Sequence, residues 1–256
     1  MRVPPSASLA AWGNAWLTGH VGLDEAADAI ERTGPHVVVG LPGDPGELPL
    51  RRALGELRPD GLSGLRLALP VPGDLLGLCG PPDFNAAALD AGQAVIGSIG
   101  DHRRLGLVPA EDRRGSSYVG VRWDAYEAAN GRPDVPPLAE AEHGLSIAIR
   151  AATSTLMSLD DATTWSPEIA EALTALREEH RHAPTGGLAP GYPARAHRVA
   201  TLAGRLSVVV ALALEDEARG ISSDQMADRR EALRDLDRAV RRAQVAACNS
   251  VFERAR

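Results

Sequence analysis

A proline-rich segment near the middle of the chain, NGRPDVPP at 130–137, separates two kinds of hydrophobic pattern. Before it, short runs of valine, leucine and isoleucine alternate with helix-type periodicity and with Gly/Pro turns. After it, apolar residues recur every three or four positions. Because proline neither continues a helix nor donates to a sheet ladder, this segment ends one pattern before the next begins. The sequence therefore predicts that every strand lies upstream of the segment and that the remainder is helical.

The first 130 residues are predicted to form an α/β unit, with a small, partly parallel sheet and helices packed against it. The run HVVVGL at 36–41 is short and β-branched, as a buried strand should be. We expect the last two strands to add antiparallel pairs at an edge of the sheet. Strands are predicted at 36–41, 65–71, 94–99, 104–108 and 117–123, and helices at 6–18, 24–33, 47–57 and 82–91.

The residues after the linker are predicted to form a four-helix bundle-like unit. Its helices are expected at 137–159, from 166 to about 182, at 195–219 and from 222 onward. The predicted division is thus an α/β unit at 1–130, a linker at 131–137 and a helical unit at 138–256. Whether the two units are separate domains or share one core is left open.

The chain has no lysine, since all 27 of its Lys+Arg residues are arginine. Schiff-base and pyridoxal-phosphate chemistry require a lysine amine, and P-loop ATPases and protein kinases place a lysine on the phosphates. The composition therefore excludes the standard forms of all four chemistries. No lysine-dependent cofactor is expected, whereas a divalent cation remains open.

The net charge and the cysteine content indicate which classes of partner and which cellular compartment to expect. The net charge of −7 argues against a dedicated nucleic-acid-binding protein. Cys79 and Cys248 are too few for a disulfide framework or a four-cysteine zinc site, and two reduced thiols are the simpler interpretation. The longest apolar run, at 208–214, is too short to span a bilayer. We therefore expect a cytoplasmic protein that binds neither nucleic acid nor membrane, with its oligomeric state unassigned.

Two similar tripeptides follow the first two predicted strands. Pro42-Gly43-Asp44 and Pro72-Gly73-Asp74 would both lie at carboxyl ends of strands, where α/β sheets gather their ligands. On adjacent strands, Asp44 and Asp74 would come close enough to hold a divalent cation or to act as acid and base. The alternative is that both tripeptides are ordinary turns, in which the aspartate bonds to its own turn.

Three further candidates surround the start of the helix at 82–91. Asp83 and Asn85 are placed either to cap this helix or to contact a ligand. Cys79 precedes the same helix, whose N-terminus would lower a thiol pKa, but no histidine partner is evident in the sequence. An inert thiol is the favoured interpretation of Cys79. No metal ligand set is predicted.

Two functions follow from these patterns. The first is a non-catalytic binding or regulatory module for a protein or small ligand, because each candidate catalytic group has a simpler structural role. The alternative is a metal-assisted hydrolase or transferase whose site is built on Asp44 and Asp74.

Overall fold

A computed structural model describes residues 4–114, 118–131, 133–158, 188–219 and 224–253. Within these ranges the protein is α/β, with a mixed sheet in the N-terminal half and helices in the C-terminal half, as predicted. The chain divides into two compact units. The sheet unit contains the described residues of Arg2–Val135, Leu188–Pro193 and Cys248–Arg256, and the helical unit contains those of Pro136–Gly187 and Ala194–Ala247.

Six strands in the described ranges form one sheet in the order β2-β1-β6-β5-β4-β3. The β1–β6 pair is parallel, and the other four pairs are antiparallel. The strands are β1 (His36–Leu41), β2 (Asp44–Pro49), β3 (Leu62–Ala68), β4 (Ala94–Ile99), β5 (Arg103–Arg114) and β6 (Tyr118–Ala128).

The sheet corrects two predictions. Residues 44–49 form β2, so the helix predicted at 47–57 begins only at Leu50. The chain reverses at Pro42-Gly43 and pairs directly with β1 before it can enter a helix. The strands predicted to lie at an edge, β5 and β6, are instead central. They are the longest strands, and their extended pairing leaves the shorter strands to flank them.

Side chains alternate between two faces of the sheet. The covered face is the one that carries Leu65, Leu107 and Trp123, all of which are buried. Helix α1 (Pro5–Leu17) packs on this face, where Gly13 lacks the Cβ that would collide with the Leu65 side chain. Helices α2 (Leu23–Ile30) and α3 (Leu50–Leu57) extend the layer toward β1 and β2. These three helices bury the larger core of the unit.

The opposite face, which we call the α4 face, receives helix α4 (Pro82–Ala91). Phe84 is fully buried there because Gly106 leaves the space that its ring occupies. Alanines 68, 88 and 94 pack around it with Ile96 and Val108. This small cluster covers part of the face, beside β3 to β6.

Two asparagines close the edge strand β3. The Asn14 side-chain amide donates to the Leu65 carbonyl (2.7 Å), and the Leu65 N–H donates back to Asn14 Oδ1 (2.9 Å). Asn249 makes the same pair of bonds with Leu67, at 3.0 and 2.9 Å. An unpaired edge would otherwise invite another strand. The two amides thus take the place of a seventh strand at these positions.

The described part of the helical unit contains helices α5 (Leu138–Ser158), α6 (Ala194–Arg219) and α7 (Asp224–Asn249), whose last residues belong to the sheet unit. An ion pair of 2.6 Å between Arg195 and Glu142 joins α6 to α5, and Ala213 packs on Leu233 between α6 and α7. The helix predicted from 166 to about 182 lies outside the described residues.

One described stretch, Ala194–Leu214, is long and apolar enough by length and composition to cross a membrane. A single helix of this kind is weak evidence, since a core helix of a soluble protein passes the same test.

Candidate functional site

The segment Pro42-Gly43-Asp44 forms the turn between β1 and β2. Leu41 pairs with Asp44 across it, and Gly43 has a φ of +92°, a conformation that glycine adopts without strain. The Asp44 carboxylate accepts a hydrogen bond of 3.0 Å from the Gly46 N–H. Asp44 therefore stabilises its own turn.

The second tripeptide makes an equivalent turn. Val71 and Asp74 exchange backbone hydrogen bonds of 3.0 and 2.9 Å around Pro72-Gly73, and the φ of Gly73 is +87°. Both tripeptides are thus proline-glycine turns, which is the alternative that their composition offered.

The expectation that Asp44 and Asp74 lie near one another is wrong. Their turns follow β1 and β3, which are separated by β6, β5 and β4 in the sheet. The pairings also make β1 and β3 run in opposite directions, so their carboxyl ends lie at opposite ends of the sheet. The expectation failed because β1 pairs with β2 and β6 instead of β3, and because β3 and β4 pair antiparallel although α4 connects them.

The three remaining candidates lie together around the N-terminus of α4. Asn85 Oδ1 accepts a 3.0 Å hydrogen bond from the Gly80 N–H and so ties the preceding loop to the helix. Asp83 is exposed in the first turn, where its charge suits the helix dipole. Cys79 is half-buried against Gly131, and this burial raises the pKa of its thiol. The arrangement therefore favours the thiol over the thiolate. A ligand-binding role for the five candidate residues stays a prediction.

The α4 face carries a group of paired charges that sequence reasoning missed, here called the charged strip. Arg114 of β5 contacts Glu47 of β2 (2.6 Å) and Asp112 (2.7 Å). On the neighbouring β6, Arg122 contacts Asp124 at 3.0 Å. Val37 and Val39 of β1 lie beside these residues in the register and are only partly buried. This part of the sheet presents both charges and apolar surface.

A second group on the same face, here called the arginine corner, consists of Arg66, Ser98, Arg104 and Phe252. The register places Arg66 opposite Ile96, and Ser98 opposite Arg104, so that these side chains share one face across β3, β4 and β5. The Arg66 guanidinium lies over the Phe252 ring, 3.9 Å from its centroid. Gly64 leaves the room for this ring, because a Cβ there would lie 2.6 Å from it.

The charges of the arginine corner differ from those of the charged strip. Burial, together with the nearby positive charge of Arg104, lowers the pKa of Arg66. Arg104 donates a hydrogen bond of 3.1 Å to the carbonyl of Arg103. Over the described ranges, neither Arg66 nor Arg104 has a carboxylate within 4.0 Å. Strand alternation could have revealed the site, since Arg66 lies between Leu65 and Leu67, which point to the covered face.

In the sheet unit, the buried histidine is His36, which lies on the covered face. His36 Nδ1 accepts a hydrogen bond of 3.3 Å from the indole N–H of Trp123, and both side chains are buried. Burial lowers the pKa of His36 to about 4. His36 is therefore neutral at pH 7. As for metals, three or more His, Cys, Asp or Glu side chains do not come together as a ligand set anywhere in the described ranges.

Family models match nearly the whole chain. The model described as the Rv1486c-like protein, N-terminal domain, matches residues 6–141, and the corresponding C-terminal domain model matches residues 139–245. The chain is 29% identical to the uncharacterized protein Rv1486c of Mycobacterium tuberculosis (strain H37Rv), with 98% of each chain covered. It is 30% identical to the uncharacterized protein ML1804 of Mycobacterium leprae, again with 98% of each chain covered. No solved structure matches the chain.

Proposed function

The chain belongs to the Rv1486c-like protein family, and from this premise we propose that it is a non-catalytic binding or regulatory module. In this proposal a small ligand or a partner protein is held on the α4 face of the sheet. The observation that carries the proposal is the unequal cover of the two faces. Among the described residues of the sheet unit, three helices bury one face, whereas the ten-residue helix α4 and Phe252 cover only part of the other.

The exposed part of the α4 face has the composition of a binding surface. Arg114 and Arg122 lie on β5 and β6, so a rigid scaffold fixes their position. Half-buried Val37 and Val39 supply apolar contact beside them. A few polar groups that orient a ligand beside apolar surface are typical of binding sites.

The proposal favours binding over catalysis because the candidate catalytic side chains have structural roles. Asp44 bonds to its own turn, Asn85 ties down Gly80, and burial raises the pKa of the Cys79 thiol. The metal-assisted hydrolase or transferase loses its premise, because the turns of Asp44 and Asp74 follow strands that three others separate. The proposed setting is the cytoplasm, with a small molecule or a protein as the partner and without nucleic acid or membrane.

The test is a thermal-unfolding screen of the full chain against a defined panel of organic acids, phosphate esters, sugars and amines. Compounds that raise the melting temperature are then incubated with the protein, and mass spectrometry checks whether they are converted. Stabilisation by at least one compound class without conversion is the expected result. Conversion of a stabilising compound, or no stabilisation across the panel, would overturn the proposal.

Two double variants locate the binding. Arg104→Glu/Arg122→Glu reverses charge at both ends of the α4 face, and we expect it to abolish the stabilisation. Arg51→Glu/Arg52→Glu makes the same charge change on α3, where both arginines are exposed and ion-paired, and should leave it intact. Equal loss in both would contradict binding at the α4 face.

A separate experiment tests the enzyme alternative. The thermal stability of the wild type, Asp44→Ala and Asp74→Ala is measured with and without Mg²⁺, Mn²⁺ and Zn²⁺. A metal-dependent stabilisation of the wild type that is lost in both variants would restore the enzyme alternative.

A further inference from the structure

We infer that the arginine corner is an oxyanion-binding site, which receives a phosphate or carboxylate group of a small ligand. This inference rests on the proposed function, because it specifies the chemistry of a ligand held on the α4 face. It goes beyond that proposal by naming the residues that contact the ligand and the charge that the ligand carries.

The first argument is the placement of two like charges. Arg66 and Arg104 lie on the same face of β3 and β5, with Ser98 of β4 directly opposite Arg104. Burial lowers the pKa of Arg66, and the positive charge of Arg104 lowers it further. A nearby like charge disfavours the charged form of a guanidinium group, and an anion that contacts both groups reverses this effect. The placement of the two arginines therefore favours a negatively charged ligand.

The second argument is the half-buried state of Arg66. A buried cation is ordinarily paired with a carboxylate, because desolvation disfavours its charge. Over the residues that the structure describes, Arg66 instead has the Phe252 ring on one side and no carboxylate within ion-pair distance. The stack supports the guanidinium plane and fixes its direction, but a ring does not neutralise the charge as an anion would.

The third argument is chemical complementarity. Guanidinium groups present several N–H donors in a plane that matches the oxygens of phosphate and carboxylate groups. The Ser98 hydroxyl adds a donor type suited to a third oxygen. All three residues lie on paired strands, so their backbone positions are already fixed when an oxyanion arrives.

A purely structural role is the competing explanation, and Arg104 distinguishes the two. Stacking of Arg66 on Phe252 accounts for Arg66 alone, since it does not involve Arg104. If Arg66 has a purely structural role, removal of Arg104 should not change the binding of anions to the protein. The oxyanion site predicts that both arginines are needed.

The test is isothermal titration calorimetry of the full chain with inorganic phosphate and, separately, with citrate, at constant ionic strength set by sodium chloride. The variants are Arg66→Gln and Arg104→Gln. The matched control is Arg52→Gln, which makes the same charge change on α3. Circular dichroism and thermal unfolding confirm that each variant is folded.

We expect saturable binding of at least one probe by the wild type. Loss of one charge-assisted contact should weaken that binding by about tenfold to a hundredfold in either corner variant. The control should bind as the wild type does. Phosphate binding without citrate binding would identify a phosphate-type ligand, and the reverse would identify a carboxylate-type ligand.

Three results would overturn the inference: no binding of either probe, unchanged binding in Arg104→Gln, or equal weakening in Arg52→Gln. Its failure is distinguishable from failure of the proposed function. If neutral or cationic compounds in the panel still stabilise the protein, only the oxyanion site is lost. If the corner binds an anion that is then converted, the site stands and the non-catalytic proposal falls.

Discussion

The two faces of the sheet differ in whether their polar side chains have partners. On the covered face and at the adjoining edge, Asn14 pairs with the backbone of Leu65, and His36 accepts a hydrogen bond from Trp123. On the α4 face, Arg66 and Arg104 lie together without a carboxylate over the described ranges. Burial of a polar group is tolerated where a partner satisfies it. On the covered face, the polar side chains have partners that stabilise the fold. On the α4 face, stability alone does not explain why Arg66 and Arg104 lie together.

If the edge amides are structural, removing either one should have the largest effect on folding. Asn14→Ala or Asn249→Ala leaves a buried N–H and a buried carbonyl on β3 without their partners. We expect each variant to lower the free energy of unfolding by about 2–4 kcal/mol, since each unsatisfied buried group costs about 1–3 kcal/mol. Urea denaturation followed by circular dichroism measures the change.

The control is Asn130→Ala, which removes an exposed asparagine from the segment after β6. It should change the free energy of unfolding by less than about 0.5 kcal/mol. A second measurement sharpens the interpretation, because an uncapped edge strand favours association with another chain. Light scattering should therefore detect self-association in the Asn14 and Asn249 variants. A loss below about 1 kcal/mol in both would mean that water replaces the amides.

Most elements of the fold could be predicted because their signals are local. The Pro/Gly-bounded helix at 82–91 and the strand at 36–41 match their observed bounds. Strand order could not be predicted in the same way, because it depends on which distant segments pair. The turn at Pro42-Gly43 is one example, since two residues decide between a hairpin and a crossover to a helix.

The candidate site was less predictable than the fold for a related reason. Asp44 and Asp74 were conspicuous in sequence because they occur in a repeated tripeptide, but topology separates them. Arg66 and Arg104 are inconspicuous in an arginine-rich chain, and only the register across β4 brings them together. Phe252 joins them from the other end of the chain, at a sequence distance that no local pattern encodes.

The covered face should also respond to acid through His36. Burial lowers the pKa of His36 from 6.5 to about 4 in the folded protein. Between these values the unfolded chain takes up a proton that the folded chain does not, so stability falls as the pH falls below 6.5. We expect a loss of about 2 kcal/mol at pH 5 from this group, at 1.36 kcal/mol per pH unit. Denaturant unfolding at pH 7, 6 and 5 measures it.

The matched variant is His36→Phe, which keeps a ring in the site and cannot be protonated. It should have a flatter dependence of stability on pH between 7 and 5 than the wild type has. The exposed His102 supplies the control, because His102→Phe should leave the pH dependence unchanged. Parallel pH profiles for the wild type and His36→Phe would show that His36 is solvated in the folded protein.

The smallest change in stability is expected for a substitution at Arg104. It tests most directly whether the α4 face differs from the covered face. Arg104→Gln removes a positive charge beside Arg66. Within the part of the chain that the structure describes, the Arg104 side chain makes one hydrogen bond, to the carbonyl of Arg103. Relief of repulsion should offset the lost bond, so the free energy of unfolding should change by less than about 0.5 kcal/mol, toward greater stability. Denaturant unfolding of the variant and the wild type in chloride buffer measures this. Adding phosphate to both samples should then stabilise the wild type more than the variant, because only the wild type keeps both guanidinium groups of the site. A loss of more than about 1 kcal/mol in chloride alone would instead make Arg104 a structural residue, and the contrast between the faces would no longer hold.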